Sequence, residues 1–229
     1  MDKNAYWNGY FARGKRQKDG VVVRNLKTAL SRAAIDLRKL VGPGEPVVDV
    51  GGGQGDFLSD AFPEYANRTV VDVSKEALVT AAARGLKIAT CDLENESIPL
   101  PDRSARLVIF CEVAEHLAET SRALDEIKRI LAPNGYVLIS TPNAAGLSSR
   151  IRVAAGMTCT SQSLDPSHIR FFTAKNLRAA VECAGFTVVR RYGTPALAPD
   201  PFGGLVNVPL VSDLAANLGE HLIFLAKKV

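Results

Sequence analysis

The chain has no uninterrupted run of about 18 apolar residues, so it offers no helix able to span a membrane. Its first residues, Met1-Asp2-Lys3-Asn4-Ala5-Tyr6-Trp7, lack the apolar core of a secretory signal, and a cytoplasmic location is expected. The four cysteines, at 91, 111, 159 and 183, show no C-x-x-C spacing, which argues against the common zinc and dithiol motifs. Three of them fall in predicted strands or helices and are expected as reduced core thiols, with Cys159 passive as well. Excess charge is small: 28 Lys and Arg against 24 Asp and Glu leave +4, so no nucleic-acid partner is expected. One basic cluster stands out, Arg13, Lys15, Arg16 and Lys18, and reads as a solvated face; the other use is attraction of an acidic substrate or partner. Histidine is scarce, with three in the chain. There is no internal repeat and no low-complexity segment, and nothing in the chain sets an oligomeric state.

What is present is a regular alternation of short apolar runs and amphipathic stretches. A length of 229 residues suits a single α/β domain. Val47, Val48 and Val50 suit a strand buried on both faces, with Asp49 near its end and glycines following at 51, 52, 53 and 55. Asp56-Phe57-Leu58 then opens a helix, so a ligand can approach the turn's backbone and meet unpaired N–H groups. Further strands are predicted at Thr69–Val73, Leu86–Cys91, Leu107–Cys111, Tyr136–Thr141, Phe186–Arg191 and Leu222–Ala226. Leu26, Leu30, Ala33, Leu37 and Leu40 recur at helical spacing before the first of them. A later helix carries Leu117, Leu124, Ile127 and Leu131 inward and ends at Pro133-Asn134-Gly135, and another carries Leu177, Ala180, Val181 and Ala184 behind a Thr173 cap. The repeated strand-helix-strand order predicts a Rossmann-like, seven-stranded, mostly parallel α/β sheet with helices on both faces and an antiparallel last strand. Two segments lack periodicity: 144–170, with a short helix around Leu147, Ile151 and Val153, and 192–220, whose four prolines predict an irregular excursion. Tyr6, Trp7, Tyr10 and Phe11 fit either a helix on the core or a cap over a ligand mouth, and packing on the core is expected.

Gly51, Gly53 and Gly55 read G-x-G-x-G, one residue short of the dinucleotide fingerprint. Asp72 ends the second strand, Asp92 follows the third, Glu112-x-x-Glu115-His116-Leu117 follows the fourth, and Leu131-Ala132-Pro133-Asn134-Gly135-Tyr136 precedes the fifth. With Thr141-Pro142-Asn143, His168-Ile169-Arg170-Phe171-Phe172-Thr173 and Ala184-Gly185-Phe186, this set resembles the class I S-adenosylmethionine (SAM)-dependent methyltransferases. The branch is the small-molecule one that includes the ubiquinone-biosynthesis O-methyltransferases. Ala105-Arg106 departs from the family, which often has Phe-Asp at the start of strand four. The resemblance implies one methyltransferase domain over 1–229: an N-terminal helical cap and first helix (1–45), a SAM-binding half (46–143) and a substrate-side half (144–229) with insertions 144–170 and 192–220. It implies SAM as cofactor, S-adenosylhomocysteine (SAH) as product, and a small-molecule acceptor methylated on oxygen or nitrogen. The site it implies comprises Asp49, Gly51, Gly53, Gln54 and Gly55 at the methionine end, Asp72 at the ribose, Asp92 at the adenine amino group with Val73 and Leu93 around the ring, then Cys111 and Glu112. The alternative uses are local, a helix cap for Asp72 and a turn for Asp92.

A methyl acceptor can need a proton removed, a task suited to histidine. His116 and His168 are the catalytic candidates, and His221, opening the last strand, is expected at the surface. Glu112, Glu115 and His116 on one turn would also suit a divalent metal, which some resembled O-methyltransferases use; the expectation is a turn that packs without one. The acceptor pocket is expected from 144–170, 192–220 and the N-terminal aromatics, partly apolar, with Arg150, Arg152 and Arg170 able to meet an anionic group. Two rival readings remain, an NAD(P)-dependent oxidoreductase and a SAM-binding module without catalysis.

Overall fold

The computed structural model describes residues 3–12, 21–159, 165, 167–199, 205–208 and 217–229. The helices are α1 (Lys3–Ala12), α2 (Val21–Leu40), α3 (Asp56–Ala61), α4 (Lys75–Ala83), α5 (Thr120–Ile130), α6 (Leu147–Ala154) and α7 (Ala174–Cys183). The strands are β1 (Val47–Val50), β2 (Arg68–Asp72), β3 (Lys87–Thr90), β4 (Ala105–Cys111), β5 (Leu131–Pro142), β6 (Phe186–Gly193), β7 (Ala196–Pro199), β8 (Leu205–Val208) and β9 (His221–Lys228). Seven of them form one sheet in the order β3-β2-β1-β4-β5-β9-β6. β1 to β5 pair in parallel, and β9 runs antiparallel between β5 and β6. This is the expected Rossmann-like α/β sheet.

The two-residue pleat sorts the apolar runs onto two cores. Val47, Leu107, Ile109, Leu138, Ile223 and Leu225 pack on one side with Leu30, Ala33 and Leu37 of α2 and Leu78 of α4. Val48, Val50, Phe110, Ile139 and Phe224 pack on the other with Leu124 and Ile127 of α5 and Leu177 and Val181 of α7. Strand order reverses between β1 and β4, so the crevice at their carboxyl ends is the place where such sheets hold ligands.

Several local expectations need correction. Leu40 is 41% exposed, and Val41 takes its place in the core, because the helical stripe rotates past the sheet by the end of α2. α5 begins at Thr120 and stops at Ile130; Leu117 precedes it, and Asn134, with φ +60°, turns the chain inside an earlier-starting β5. Cys183, expected in the core, lies on the outer face of α7 and is exposed, whereas Cys91 is buried. The 192–220 segment is not wholly irregular, since β7 and β8 pair as an antiparallel hairpin. The Arg13, Lys15, Arg16 and Lys18 cluster lies outside the described residues. Among the described residues no helix is long and apolar enough to cross a membrane.

Candidate active site

The turn after β1 is shaped by what a side chain would strike. Gly51 has φ +75°, and a Cβ there would lie 2.4 Å from Val113 Cγ2, so the turn lies flush against the β4 end only without one. The backbone N–H of Gly53 donates to Asp72 Oδ2 at 2.8 Å, and that of Ser74 donates to Asp72 Oδ1 at 2.8 Å. One carboxylate at the tip of β2 thus ties down the glycine turn and its own following loop. Burial pushes the Asp72 carboxyl up against the opposing pull of the backbone N–H groups of Ser74, Gly53 and Val73. Asp92 accepts the N–H of Glu94 at 3.1 Å and the amide of Asn95 at 2.7 Å, so it serves a turn while facing the crevice.

These groups border a cavity of about 640 Å³. Gly51, Gly53, Gln54, Asp72, Val73, Asp92, Leu93, Cys111 and Glu112 are on its wall. Asp49 and Gly55 are not. Asp49 is buried behind the turn, where burial, then the charges of Asp72 and Asp56, push its carboxyl up to about 7. Gly55 stands at the start of α3 with φ +73°, and a Cβ there would come 2.2 Å from Leu86 Cδ1, so the structure uses it for close packing of helix on sheet.

The other end of the cavity is built from the segment after β4. Glu112 has φ +56°, a strained backbone for a side chain with a Cβ, and such residues cluster at functional sites. Its Oε1 accepts from Ser140 Oγ at 2.7 Å, and its Oε2 lies 3.4 Å from His221 Nε2. Burial alone would raise the Glu112 carboxyl, but the charge and hydrogen bond of His221, with Ser140, hold it below the usual range. A short helical turn, Ala114–His116, then carries Glu115 and His116 inward. Glu115 is 1% exposed; its Oε2 accepts from Thr141 Oγ1 at 3.1 Å, while Oε1 has no hydrogen-bond partner among the described residues. Burial, and then the charge of Glu112, push its carboxyl well up.

His116 and His168 come together as expected, with ring centroids 4.8 Å apart. His116 Nδ1 lies 3.2 Å from the Ser167 carbonyl and 3.1 Å from Ser167 Oγ, which itself donates to Asp165 at 2.6 Å. A carbonyl only accepts, so Nδ1 carries the proton and the ring's lone pair sits on Nε2. Burial, then the charge of His168, keeps His116 below the usual histidine range, and hence neutral near pH 7.

The Trp7 ring meets His116 edge-on at 5.0 Å, and Trp7 and Tyr10 line the cavity, so α1 caps the mouth and does not simply pack on the core. His221, expected at the surface, is 5% exposed and on the cavity wall. Its position follows from the antiparallel course of β9, whose first residue pairs with Pro142 at the carboxyl end of β5. Arg150, Arg152 and Arg170 are not on the wall: the first two donate to the carbonyls of Ala145 and Thr158, and Arg170 binds the Ala118 carbonyl beside Glu119.

The candidate metal trio changes membership. Glu112 turns to Ser140 and His221, and the donors that gather are Glu115, His116 and His168, within 4.8 Å of one another. Their chemistry suits a borderline divalent ion. Glu115 Oε1 lies 4.0 Å from His168 Nε2.

A sequence model of the methyltransferase-domain family matches residues 22–191. A probable S-adenosylmethionine-dependent methyltransferase of Mycolicibacterium smegmatis is 31% identical over 146 residues, covering 63% of this chain and 53% of that protein. A ubiquinone/menaquinone biosynthesis C-methyltransferase of Cupriavidus necator is 31% identical over 107 residues, covering 43% of this chain and 44% of that protein. The chain therefore spans about half the length of the curated relatives it matches. The crystal structure of a SAM-dependent methyltransferase from Thermotoga maritima superposes with a TM-score of 0.67 at 19% identity, covering 99% of both chains, which shows a shared fold.

Proposed function

The chain belongs to the methyltransferase-domain family, and on that premise we propose that it transfers a methyl group from SAM to an oxygen or nitrogen of a small, partly apolar acceptor. One observation carries the reading: a single cavity runs from the glycine turn, Asp72 and Asp92 to the histidines. In this reading 46–143 forms the cofactor half, and 144–229 with α1 closes the acceptor half. Asp72 has lone pairs to spare for a ribose diol beyond the two backbone N–H groups it holds. Gly51, Gly53 and Gln54 approach the methionine moiety, and Val73 and Leu93 flank the adenine that Asp92 recognises. Asp49 and Gly55 act from behind, shaping the turn.

The sulfonium of SAM supplies the activated methyl group. The chain has to align the acceptor with it, exclude water and accept a proton. His116, neutral and with its lone pair on Nε2, is suited to take that proton, and Asp165 and Ser167 orient the ring. His168 and the Glu112–His221 pair complete the polar wall.

Isothermal titration should show binding of SAM and not of NADH, and an acceptor screen should release SAH. Binding of NADH in preference to SAM overturns the reading, and SAM binding without turnover of any acceptor would leave a module without catalysis. His116→Ala is expected to cut turnover by about two orders of magnitude while SAM affinity stays within a few fold. Unchanged turnover removes His116 from the proton path. Dialysis against EDTA tests the Glu115, His116 and His168 donors and should leave activity intact. A loss reversed by Mg²⁺ or Zn²⁺ would show that the donors close on a metal.

A further inference from the structure

We propose that the acceptor half selects a small organic cation, an amine that enters as its ammonium form. This rests on the methyltransferase reading above and narrows its substrate class. Among the described residues the cavity wall carries seven carboxylates and no Lys or Arg, in a chain where basic residues outnumber acidic ones by 28 to 24. Asp56 is ion-paired with Arg84, and Asp72 and Asp92 lie on the cofactor side. Glu112, Glu115, Asp165 and Glu220 remain for the acceptor side.

None of these four has a Lys or Arg partner among the described residues. Glu112 is held by Ser140 and His221, Glu115 by Thr141, and Asp165 by Ser167. Glu220, 4% exposed, accepts from Ser148 Oγ at 2.7 Å and from the Leu197 N–H at 3.4 Å. Glu112 is balanced by His221, and burial pushes the Glu115 carboxyl up. The unbalanced acids of the wall are therefore Asp165 and Glu220, whose hydrogen-bond partners among the described residues are neutral donors, and buried charge without a counter-ion is costly. A fixed acid wall of this kind favours a cation and rejects an anion.

A second observation points to the same ligand. Glu115, 1% exposed and on the wall, has one carboxylate oxygen with no hydrogen-bond partner among the described residues, the nearest cationic group being His168 at 4.0 Å. Buried polar atoms are seldom left unsatisfied unless a ligand or ion completes them. Trp7 and Tyr10 add aromatic surface at the mouth, which attracts organic cations. The arginines that would have greeted an anion are tied to backbone carbonyls elsewhere.

The chemistry balances without another reactant. The ammonium gives a proton to a wall histidine, the freed nitrogen lone pair forms the N–CH₃ bond, and the electron pair of the breaking S–CH₃ bond stays on sulfur, leaving SAH. The histidine then returns its proton to solvent.

The test uses the full chain and three probes with one apolar body: phenethylamine, 2-phenylethanol and 3-phenylpropionate. SAM titration comes first, because failure there sinks the underlying reading and not this narrowing of it. With SAH bound, phenethylamine should bind at least about tenfold more tightly than the alcohol, and the carboxylate should not bind. Glu220→Gln should lower the amine's affinity several fold and leave that of SAM and the alcohol unchanged; Asp165→Asn, which also loosens the His116 ring, is read for amine affinity alone should Glu220→Gln fail to fold. A preference for the alcohol or the carboxylate, equal binding of all three, or no binding of the amine at millimolar concentration overturns the proposal.

Discussion

Asp72→Asn is expected to weaken SAM binding about a hundredfold, corresponding to about 2.8 kcal/mol. The carboxylate uses both oxygens at once, Oδ2 for Gly53 and Oδ1 for Ser74. An asparagine of the same shape must turn its NH₂ toward one of those N–H donors. Whichever way it turns, one buried backbone donor loses its acceptor, at a cost of about 1–3 kcal/mol. The charge that would strengthen hydrogen bonds from a ribose diol also disappears. Titration calorimetry reads the affinity, and a melting curve without SAM reads the loosened turn. If the melting temperature falls while SAM affinity holds, Asp72 is a structural tie and the ribose lies elsewhere.

Gly55→Ala should behave in the opposite way, with a large loss of stability and little change in cofactor affinity. At φ +73° an alanine meets left-handed strain of about 1–2 kcal/mol. Its methyl would also lie 2.2 Å from Leu86 Cδ1 and 3.2 Å from Val70 Cγ2. Leu86 is 5% exposed and packed within the core, so the clash is relieved only by repacking, and overpacking of this kind costs about 1–3 kcal/mol. For a domain of this size a sum near 3 kcal/mol lowers the melting temperature by about 6–12 °C. Because Gly55 is absent from the cavity wall, SAM affinity at 25 °C should stay within a few fold. A stable variant that has lost SAM would show that the third glycine of the turn touches the cofactor after all.

The glycines therefore illustrate how far motif reading reaches. Gly51, Gly53 and Gly55 form one pattern in the sequence, yet Gly51 and Gly53 face the cavity and Gly55 faces Leu86. Asp49 and Asp72 look alike as acids at strand ends. Parallel register sets Asp49 beside Val70, so the two acids share one face of the sheet; Asp72, two residues nearer the carboxyl edge, reaches the crevice, and Asp49 stays behind the turn, where its charge is disfavoured. Strand spacing brought the candidate residues to one crevice but could not orient each side chain.

His221 is the instructive miss. An antiparallel last strand was legible in the chain, and its first residue must then lie at the carboxyl edge of the parallel strands, where ligands sit. That consequence needs the register between β9 and β5, His221 opposite Pro142, which no local pattern encodes. Trp7 is a similar case. Its helix was foreseeable, but its contact with His116 joins residues more than a hundred positions apart.

By itself the sequence determined the alternation of strands and helices, the glycine turn, the acids at the strand ends and hence the family. These are local properties, set by periodicity of two or 3.6 residues and by backbone freedom at particular glycines. Only the tertiary structure decided which acids share a cavity, that three histidines converge on it, and that the arginines turn away. Those outcomes depend on strand register and on how separate segments fold over the same crevice, and neither is carried by any one stretch of chain.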